Sequence, residues 1–505
     1  MNKKINFINI TNVNKNVVRI LMLYFVVTTQ LMSIIYTQSV TGISIPELSL
    51  FDDAMVSVMD EYDLTAGILA VSKDGNVVYQ RGFGNDIQTE IPIPENMPMR
   101  LASVEKPLTA AVIRDLASDG FFSLNDFVFD LGQLGGGILP SGTYFPYDGR
   151  IRDNRLANIT VNHLLQHRGG WDIFLLDEQN DIEGETGSFF DPQMEAIRIA
   201  DKTNVTSPPG REVTVSYMMS QPLQYMPGSP PCNKDSLDNC LTIPAGCYCG
   251  FQYSNFGYML LGLIIEEVTG ETVATQLRKR ILTPEMWIPE TEIFTGQTLY
   301  SDTDPREPYY IDSGIWLNVF DPNGDLVSAP YGGFDLSSWQ GHGNLVSSAT
   351  PILKFLDNYV VIGTNIGGTV GSWSGSGFNA HNGAMPGTNT IALRHGDNIN
   401  IVVLFNQRND DALNKLVDML LDLINNWGYP QTWPTFSVDG FWLDFNATVS
   451  GFGGYDDPFH TMETVLASTA DGTKLRIRPG SSNWAGKITK KMLIDAPFGT
   501  VTIGK

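Results

Sequence analysis

Positively charged residues are scarce in this chain. Its 505 residues include 32 lysines and arginines against 55 aspartates and glutamates, which gives a formal net charge of −23 at pH 7. An acidic surface of this kind repels phosphate backbones, so the sequence predicts no nucleic-acid partner. Hydrophobic residues make up 42% of the chain, which is the composition of a globular protein long enough to bury a sizeable core.

Several signatures of other enzyme classes are absent. The chain has no Gly-x-Ser-x-Gly nucleophile elbow, no Walker loop and no dinucleotide-binding fingerprint. His163 and His167 are one helical turn apart, but their segment lacks the glutamate of the HExxH zinc motif. The sequence therefore predicts an activity that needs no cofactor and no metal ion.

The N-terminal segment is basic and then hydrophobic. Four cations precede the apolar stretch 20–36, and polar residues at 28–30 interrupt that stretch. The cations are Lys3, Lys4, Lys15 and Arg19. The apolar run is shorter than the roughly 18–20 residues of a spanning helix, and its order is typical of a secretory signal. We expect residues 1–44 to be a signal peptide of an extracellular protein, with an uncleaved single-pass membrane anchor as the alternative.

The few cysteines agree with an oxidising compartment. All of them lie in one short segment, at Cys232, Cys240, Cys247 and Cys249. Two local disulfides are the simplest interpretation, but the sequence does not choose among the three pairings. A structural zinc site is the alternative, although the spacing lacks the usual doubled CxxC. Acceptor triplets for N-glycans begin at Asn158, Asn204 and Asn446.

The order of predicted elements indicates one α/β domain over residues 45–428. Periodicity predicts a helix at 46–63, a hairpin at 67–81 and a second helix at 107–118. A strongly apolar helix is predicted at 255–268, and paired strands at 389–405 precede a closing amphipathic helix. We therefore expect an antiparallel β-sheet flanked by helices, with a helical lobe on one side.

The last part of the chain, residues 429–505, has a different character. It is rich in aromatics and glycine and lacks a long amphipathic pattern. Asp471-Gly472 between the segments 464–468 and 474–478 predicts a hairpin, so we expect a small β-rich C-terminal extension.

Ser103 and Lys106 form an SxxK tetrapeptide at the start of the second predicted helix. This spacing places both side chains on one face of a helix. A serine hydroxyl is a poor nucleophile unless a neighbour takes its proton, and a lysine one turn away meets that need. Read alone, the tetrapeptide is weak evidence, and a simple helix cap is the favoured interpretation of Ser103.

Two further segments complete a recognisable pattern. Tyr253-Ser254-Asn255 precedes the apolar helix, and a tyrosine beside an ammonium is expected to shift toward phenolate and serve as a base. His381-Asn382-Gly383-Ala384 leads into a strand, where the glycine permits close approach of a bound group.

In this order, the three segments resemble the serine β-lactamase and penicillin-binding-protein superfamily. They are most similar to its class C-type branch, which includes D-aminopeptidases and esterases. The segments 159–171, 343–348 and 381–388 are similar to further signatures of that branch, and the resemblance covers about residues 48 to 427. It implies the class C β-lactamase-like fold.

The resemblance also implies roles for matching residues. Ser103 would become acylated, Lys106 and Tyr253 would share its proton, and Asn255 would position the substrate. His381 and Gly383 would line the substrate site. The backbone N–H groups of Ser103 and Ala384 would form the oxyanion hole.

One departure from the pattern bears on the substrate. Antibiotic-hydrolysing relatives usually have lysine where this chain has His381, and histidine is mostly neutral near pH 7. We therefore expect a serine hydrolase acting on a small-molecule ester, small peptide or aminoacyl substrate rather than a resistance enzyme. Acyl transfer, and a noncatalytic binding or scaffold protein of the same fold, are the alternatives. The sequence does not indicate an oligomeric state.

Overall fold

A computed structural model describes residues 38–173, 191–228, 252–283, 286–372 and 379–504. Residues 1–37 of the predicted signal segment and all four cysteines lie outside these ranges, so the disulfide prediction falls outside the described residues. Within the ranges given, none of the helices combines the length and apolar character needed to cross a membrane.

The described residues form many short strands and a smaller set of helices. The strands are β1 (Val40–Thr41), β2 (Ala66–Lys73), β3 (Asn76–Gly84), β4 (Met99–Arg100), β5 (Ile293–Thr295), β6 (Ile315–Trp316), β7 (Val327–Ser328), β8 (Leu345–Ser347), β9 (Asn379–Met385), β10 (Thr388–His395), β11 (Ile399–Phe405), β12 (Phe441–Leu443), β13 (Thr473–Ile477), β14 (Gly480–Ser482), β15 (Met492–Asp495) and β16 (Val501–Ile503). The α-helices are α1 (Ser49–Glu61), α2 (Glu105–Ser118), α3 (Val161–Leu165), α4 (Ala196–Thr203), α5 (Gly210–Met219), α6 (Asn255–Thr269), α7 (Val273–Gln276), α8 (Ala349–Asn358), α9 (Asp410–Asn425) and α10 (Met462–Ser468).

The central element is a six-stranded antiparallel sheet in the order β1-β3-β2-β11-β10-β9. Strands β10 and β11 pair from Asn389 opposite Phe405 to His395 opposite Ile399, which confirms the predicted hairpin. Strand β9 pairs with β10 and forms one edge of the sheet, with Met385 opposite Thr388. This register brings the His381 to Ala384 segment to the edge of the sheet.

Helices cover both faces of this sheet. Tyr79 donates a hydrogen bond of 2.6 Å to Asp52 in α1, whereas its neighbour Gln80 accepts one of 2.9 Å from Thr350 in α8. Successive side chains of a strand point to opposite faces, so α1 and α8 lie on opposite sides. Helix α9 packs against α1. The layered arrangement confirms the predicted fold class.

The helical lobe contains the pair formed by α2 and α6. Helix α6 begins at Asn255, where Ser254 caps it by accepting a hydrogen bond of 3.0 Å from the Gly257 N–H. It ends at Thr269 and is capped by Gly270, whose φ of 70° suits glycine. The apolar run of α6 is buried, as its sequence predicts. Burial on every side makes this helix a fixed support for the Tyr253 to Asn255 segment that precedes it.

The C-terminal region corrects one prediction. Residues 462–468 form helix α10 instead of the first strand of a hairpin, and Thr461 caps it by accepting a 3.1 Å hydrogen bond from the Thr464 N–H. Strand β13 then pairs in parallel with both β12 and β15. The Asp471-Gly472 signal marks a real turn, but it connects a helix to a strand.

The C-terminal region packs beside strands β1 and β3. The Val438 N–H donates to the Val77 carbonyl at 2.8 Å, and the Tyr455 N–H donates to Glu95 Oε1 at 2.6 Å. The Gly42 N–H, just after β1, donates to Asp456 Oδ2 at 2.8 Å. Strand β1 lies within the segment 1–44 assigned to the signal, and the boundaries at 44 and 428 stay predictions.

Replacing Leu416 with alanine tests the packing of α9. Leu416 is fully buried, so Leu416→Ala removes buried methyl groups and leaves a cavity. We expect the free energy of unfolding to fall by about 2–5 kcal/mol. Asn414→Ala, on the exposed face of the same helix, should change it by less than about 0.5 kcal/mol. Chemical denaturation measures both, and equal losses would contradict the assigned face of α9.

Candidate active site

Ser103 lies on a tight turn that leads into α2. The preceding residue, Ala102, has a φ of +49°, a conformation that costs a residue other than glycine on the order of 1–3 kcal/mol. Neighbouring strands hold this turn in place. The Leu101 carbonyl accepts a 2.8 Å hydrogen bond from Thr390 in β10, and the Leu101 N–H donates one of 2.8 Å to Leu345 in β8. Ser103 is therefore presented at a fixed position between the sheet and the helical lobe.

Lys106 lies one turn further along, and its Nζ is 2.9 Å from Ser103 Oγ. The side chain is fully buried and also contacts the His342 carbonyl, at 3.0 Å. Burial lowers the pKa of Lys106 to about 7, although the nearby carboxyl groups of Asp191 and Glu105 act in the opposite direction. An amine with this pKa is partly neutral at pH 7 and can accept a proton.

Tyr253 contacts the same serine. Its hydroxyl donates a 2.7 Å hydrogen bond to Ser103 Oγ, and Lys106 Nζ lies 4.7 Å from the centre of its ring. Burial raises the pKa of Tyr253 above its ordinary value. The expected shift of Tyr253 toward phenolate is therefore wrong, because burial and the negative charge of Asp191 both disfavour the charged form of the phenol. In the resting site Tyr253 is a neutral phenol.

A carboxyl group that the sequence analysis missed orients Asn255. Asp191 Oδ2 accepts a 2.5 Å hydrogen bond from Asn255 Nδ2. A carboxylate only accepts, so this contact fixes which end of the amide faces Asp191. Asn255 Oδ1 is buried and has no hydrogen-bond partner among the described residues. Asp191 thus orients Asn255 so that its Oδ1 is left as an unused acceptor.

Strand β9 approaches Ser103 through Gly383. A Cβ atom at Gly383 would lie 2.3 Å from the Leu101 carbonyl oxygen, 2.5 Å from Thr390 Oγ1 and 2.9 Å from the Ser103 nitrogen. Only glycine permits this distance. Ala384 follows in the same strand, opposite Asn389 of β10. The close approach brings the segment named for the oxyanion hole beside the nucleophile.

His381 is half-buried near the start of β9, and its Nδ1 lies 2.9 Å from the Asn382 carbonyl. Burial and the positive charge of Lys106 lower the pKa of His381 to about 4. The imidazole is therefore neutral at pH 7, as the sequence analysis expected.

Glu105 is a second acidic residue that the sequence analysis did not use. It is fully buried, and it accepts hydrogen bonds from the N–H groups of Gly341, at 2.6 Å, and Leu345, at 2.9 Å. Burial raises its pKa to about 7. Its two backbone contacts span the segment that carries the His342 carbonyl, so Glu105 positions an acceptor for Lys106. The one sequence feature that could have identified Glu105 is its position within the SxxK tetrapeptide.

The two histidines of the 159–171 segment serve different structural purposes. His163 Nδ1 accepts from the Thr160 N–H at 3.3 Å as part of a helix capping box. His167 accepts from the Ser254 N–H at 3.1 Å, and its ring stacks on that of Tyr253 with 4.7 Å between centres. Burial lowers the pKa of His167 well below its ordinary value. His167 therefore supports Tyr253 as a neutral ring.

Comparison with known proteins places this geometry in a family. Residues 51–231 and 248–425 match the model of the β-lactamase family. The chain is 25% identical over 317 residues to esterase EstB of Burkholderia gladioli, covering 61% of this chain and 68% of the esterase. It is 23% identical over 373 residues to penicillin-binding protein 4* of Bacillus subtilis (strain 168), covering 68% and 69%.

The octameric penicillin-binding protein homologue from Pyrococcus abyssi aligns with a TM-score of 0.48 and 20% identity, covering 76% of this chain and 79% of that one. The family match spans most of the present chain. The chain belongs to the β-lactamase family, and it is a serine hydrolase of the β-lactamase-related type.

Gly383→Ala tests the approach of β9 to the serine. The added methyl group meets backbone atoms of Leu101 and Ser103, so β9 must move away from the nucleophile. We expect kcat/KM for a simple ester such as p-nitrophenyl acetate to fall by about 10²-fold or more, the typical effect of losing one oxyanion donor.

Gly396→Ala is the matched control for this substitution. Gly396 lies in the β10–β11 turn, and a Cβ atom there meets nothing within 4 Å. Activity should stay at the wild-type level. Equal activity of the two variants would contradict the close contact of β9 with Ser103.

Proposed function

We propose that the protein is a secreted serine hydrolase that cleaves esters or amides of small acyl, aminoacyl or peptide substrates through an acyl-Ser103 intermediate. The observation that carries this proposal is the position of Ser103 Oγ, 2.9 Å from Lys106 Nζ and 2.7 Å from the Tyr253 hydroxyl. The name of the Burkholderia relative supports an ester as one substrate class.

In the first step, Ser103 Oγ attacks the substrate carbonyl carbon while its proton passes to the neutral amine of Lys106. The lowered pKa of Lys106 makes this transfer feasible near pH 7. The carbonyl oxygen becomes an oxyanion, and the N–H groups of Ser103 and Ala384 stabilise it. Backbone donors held by the sheet need no rearrangement as this charge develops.

In the second step, the bond to the leaving group breaks. Tyr253 gives its phenolic proton to the leaving oxygen or nitrogen and regains one from the Lys106 ammonium. The acyl group then remains on Ser103. Water attacks this ester, its proton returns through Tyr253 and Lys106, and Ser103 is restored as the free acid product leaves.

The charges around the serine favour a substrate without a carboxylate beside the scissile bond. The imidazole of His381 is neutral at pH 7, and the neighbouring Asp191 supplies a carboxyl group instead of a cation. Asn255 Oδ1 is an acceptor suited to an N–H group of the acyl part. We therefore propose aminoacyl esters, amides and small peptides over penicillin-type acids.

We further propose that the protein is exported from the cell. The basic and then apolar order of residues 1–36 and the clustered cysteines support this proposal. A retained segment would leave the same domain tethered to the outer face of a membrane.

Labelling with a fluorophosphonate tests the nucleophile. The reagent should modify Ser103 in the folded wild-type protein, and peptide mass spectrometry locates the adduct. Ser103→Ala should abolish the label and lower kcat for p-nitrophenyl acetate by about 10³-fold or more. Heat-unfolded protein is the control for nonspecific reaction. A folded protein whose Ser103 stays unlabelled would favour a noncatalytic binding protein.

The pH profile tests the role of Lys106. Below pH 7 the amine is protonated and cannot take the serine proton, whereas above pH 7 it is neutral. We expect kcat/KM to rise with pH through about 7 and then to level off. Glu105→Gln removes a neighbouring negative charge, so the rise should move to lower pH. Loss of the rise in Glu105→Gln would assign it to the carboxyl group instead.

A further inference from the structure

A cavity lies apart from the serine. It has a volume of about 370 Å³ and is enclosed by residues 86–98, residues 292–309 and two phenylalanines of the C-terminal region, Phe441 and Phe452. None of its described lining residues is one of the groups placed around Ser103. Its volume lies within the range of small-molecule sites.

Aromatic and apolar side chains form much of its wall. Tyr300 and Tyr309 line it, with ring centres 5.5 Å apart in an edge-to-face arrangement, and Met97 lies on the same wall. Phe452 is 53% exposed, which indicates that it stands at the mouth of the cavity. Such walls favour a ligand with an apolar or aromatic body.

The charge in the cavity has one dominant sign. The described lining includes four carboxyl groups, Asp86, Glu292, Asp304 and Glu307, and one guanidinium group, Arg306. Asp304 binds Arg306 through two hydrogen bonds of 2.8 Å and so neutralises it. The charge of Arg306 also acts on Glu292 and Glu307, but four carboxyl groups against one guanidinium group leave the cavity attractive to a cation.

Glu292 has an unused acceptor in this cavity. Glu292 is only 8% exposed, and its Oε2 accepts a hydrogen bond from the Ser348 hydroxyl. Its Oε1 has no hydrogen-bond partner among the described residues, although Glu292 lines the cavity. Burial raises the pKa of Glu292 to about 7. A carboxyl group with one open oxygen in an enclosed cavity is suited to an ammonium donor.

We propose that this cavity is a binding site for a small organic cation, namely a protonated amine on an aromatic or apolar body. The ammonium group donates to Glu292 Oε1, and the rings of Tyr300 and Tyr309 favour the cation and its body. A neutral ligand of the same shape lacks the charge partner. An anion meets the carboxyl groups without a free cation to offset them.

The site has a physical connection to the serine turn. Glu307 at the cavity accepts a 2.8 Å hydrogen bond from the Tyr310 hydroxyl, and that hydroxyl accepts one of 2.8 Å from the Arg100 N–H. Arg100 ends β4, directly before the Leu101 to Ser103 turn. The cavity therefore lies behind the strand that leads to Ser103, outside the substrate site.

Phenethylamine and 2-phenylethanol are matched probes because they differ in the ammonium group. We expect isothermal titration calorimetry on the full chain, with Ser103 already blocked by a fluorophosphonate, to show roughly tenfold tighter binding of the amine. Glu292→Gln keeps the shape and an acceptor for Ser348 but removes the charge. It should weaken amine binding by roughly tenfold and leave the alcohol unchanged.

Phe452→Ala provides a second variant at an exposed position, where misfolding is not expected, and it should weaken both probes. The melting temperature of each variant checks its folding. Equal affinities for the amine and the alcohol would overturn the proposal, as would amine binding that both substitutions leave unchanged. Absence of saturable amine binding at millimolar concentrations would overturn it as well.

Discussion

Burial of one amine is the constraint on which the rest of this structure depends. Lys106 lies without solvent exposure between Ser103 and the His342 carbonyl, and its desolvation moves its pKa to about 7. A solvated lysine would hold its proton far too tightly to serve as a base. The helical lobe and the sheet must therefore close completely around this side chain. Desolvation disfavours the ammonium form, so this closure lowers the proton affinity of Lys106 to a value suited to neutral pH.

The sheet and the helical lobe must pack around Lys106 in a way that also fixes its side chain. Glu105 contributes by anchoring the backbone on either side of His342, and Gly383 contributes by letting β9 reach the serine turn. Tyr253 is held by the His167 ring and the buried start of α6. These supports come from four different parts of the fold. They share one property, which is that polar groups near the serine are fixed by other groups of the protein, through backbone contacts at Glu105 and side-chain contacts at Tyr253.

Local patterns in the sequence predicted what depends on local geometry. The SxxK spacing, the apolar α6 and the β10–β11 hairpin are all recognisable because the interactions that define them span few residues. Asp191 was missed because nothing near it in sequence shows that it meets Asn255. The predicted phenolate form of Tyr253 was wrong because burial raises its pKa, and burial is a property of the whole fold. The hairpin prediction at 464–478 was wrong because Asp471-Gly472 indicates a turn but does not indicate whether a helix or a strand precedes it.

The serine and the phenol that touches it are 150 residues apart in sequence, and β9 comes later still. No short loop connects the segments that carry Ser103, Tyr253 and β9. The site therefore forms only after the distant strands of the sheet have paired and the helical lobe has packed against it. Contacts of this kind form slowly during folding because their loop-closure entropy is lost before they stabilise the chain. Ser103, Tyr253 and β9 therefore come together only late in folding, so a partly folded chain lacks the complete site.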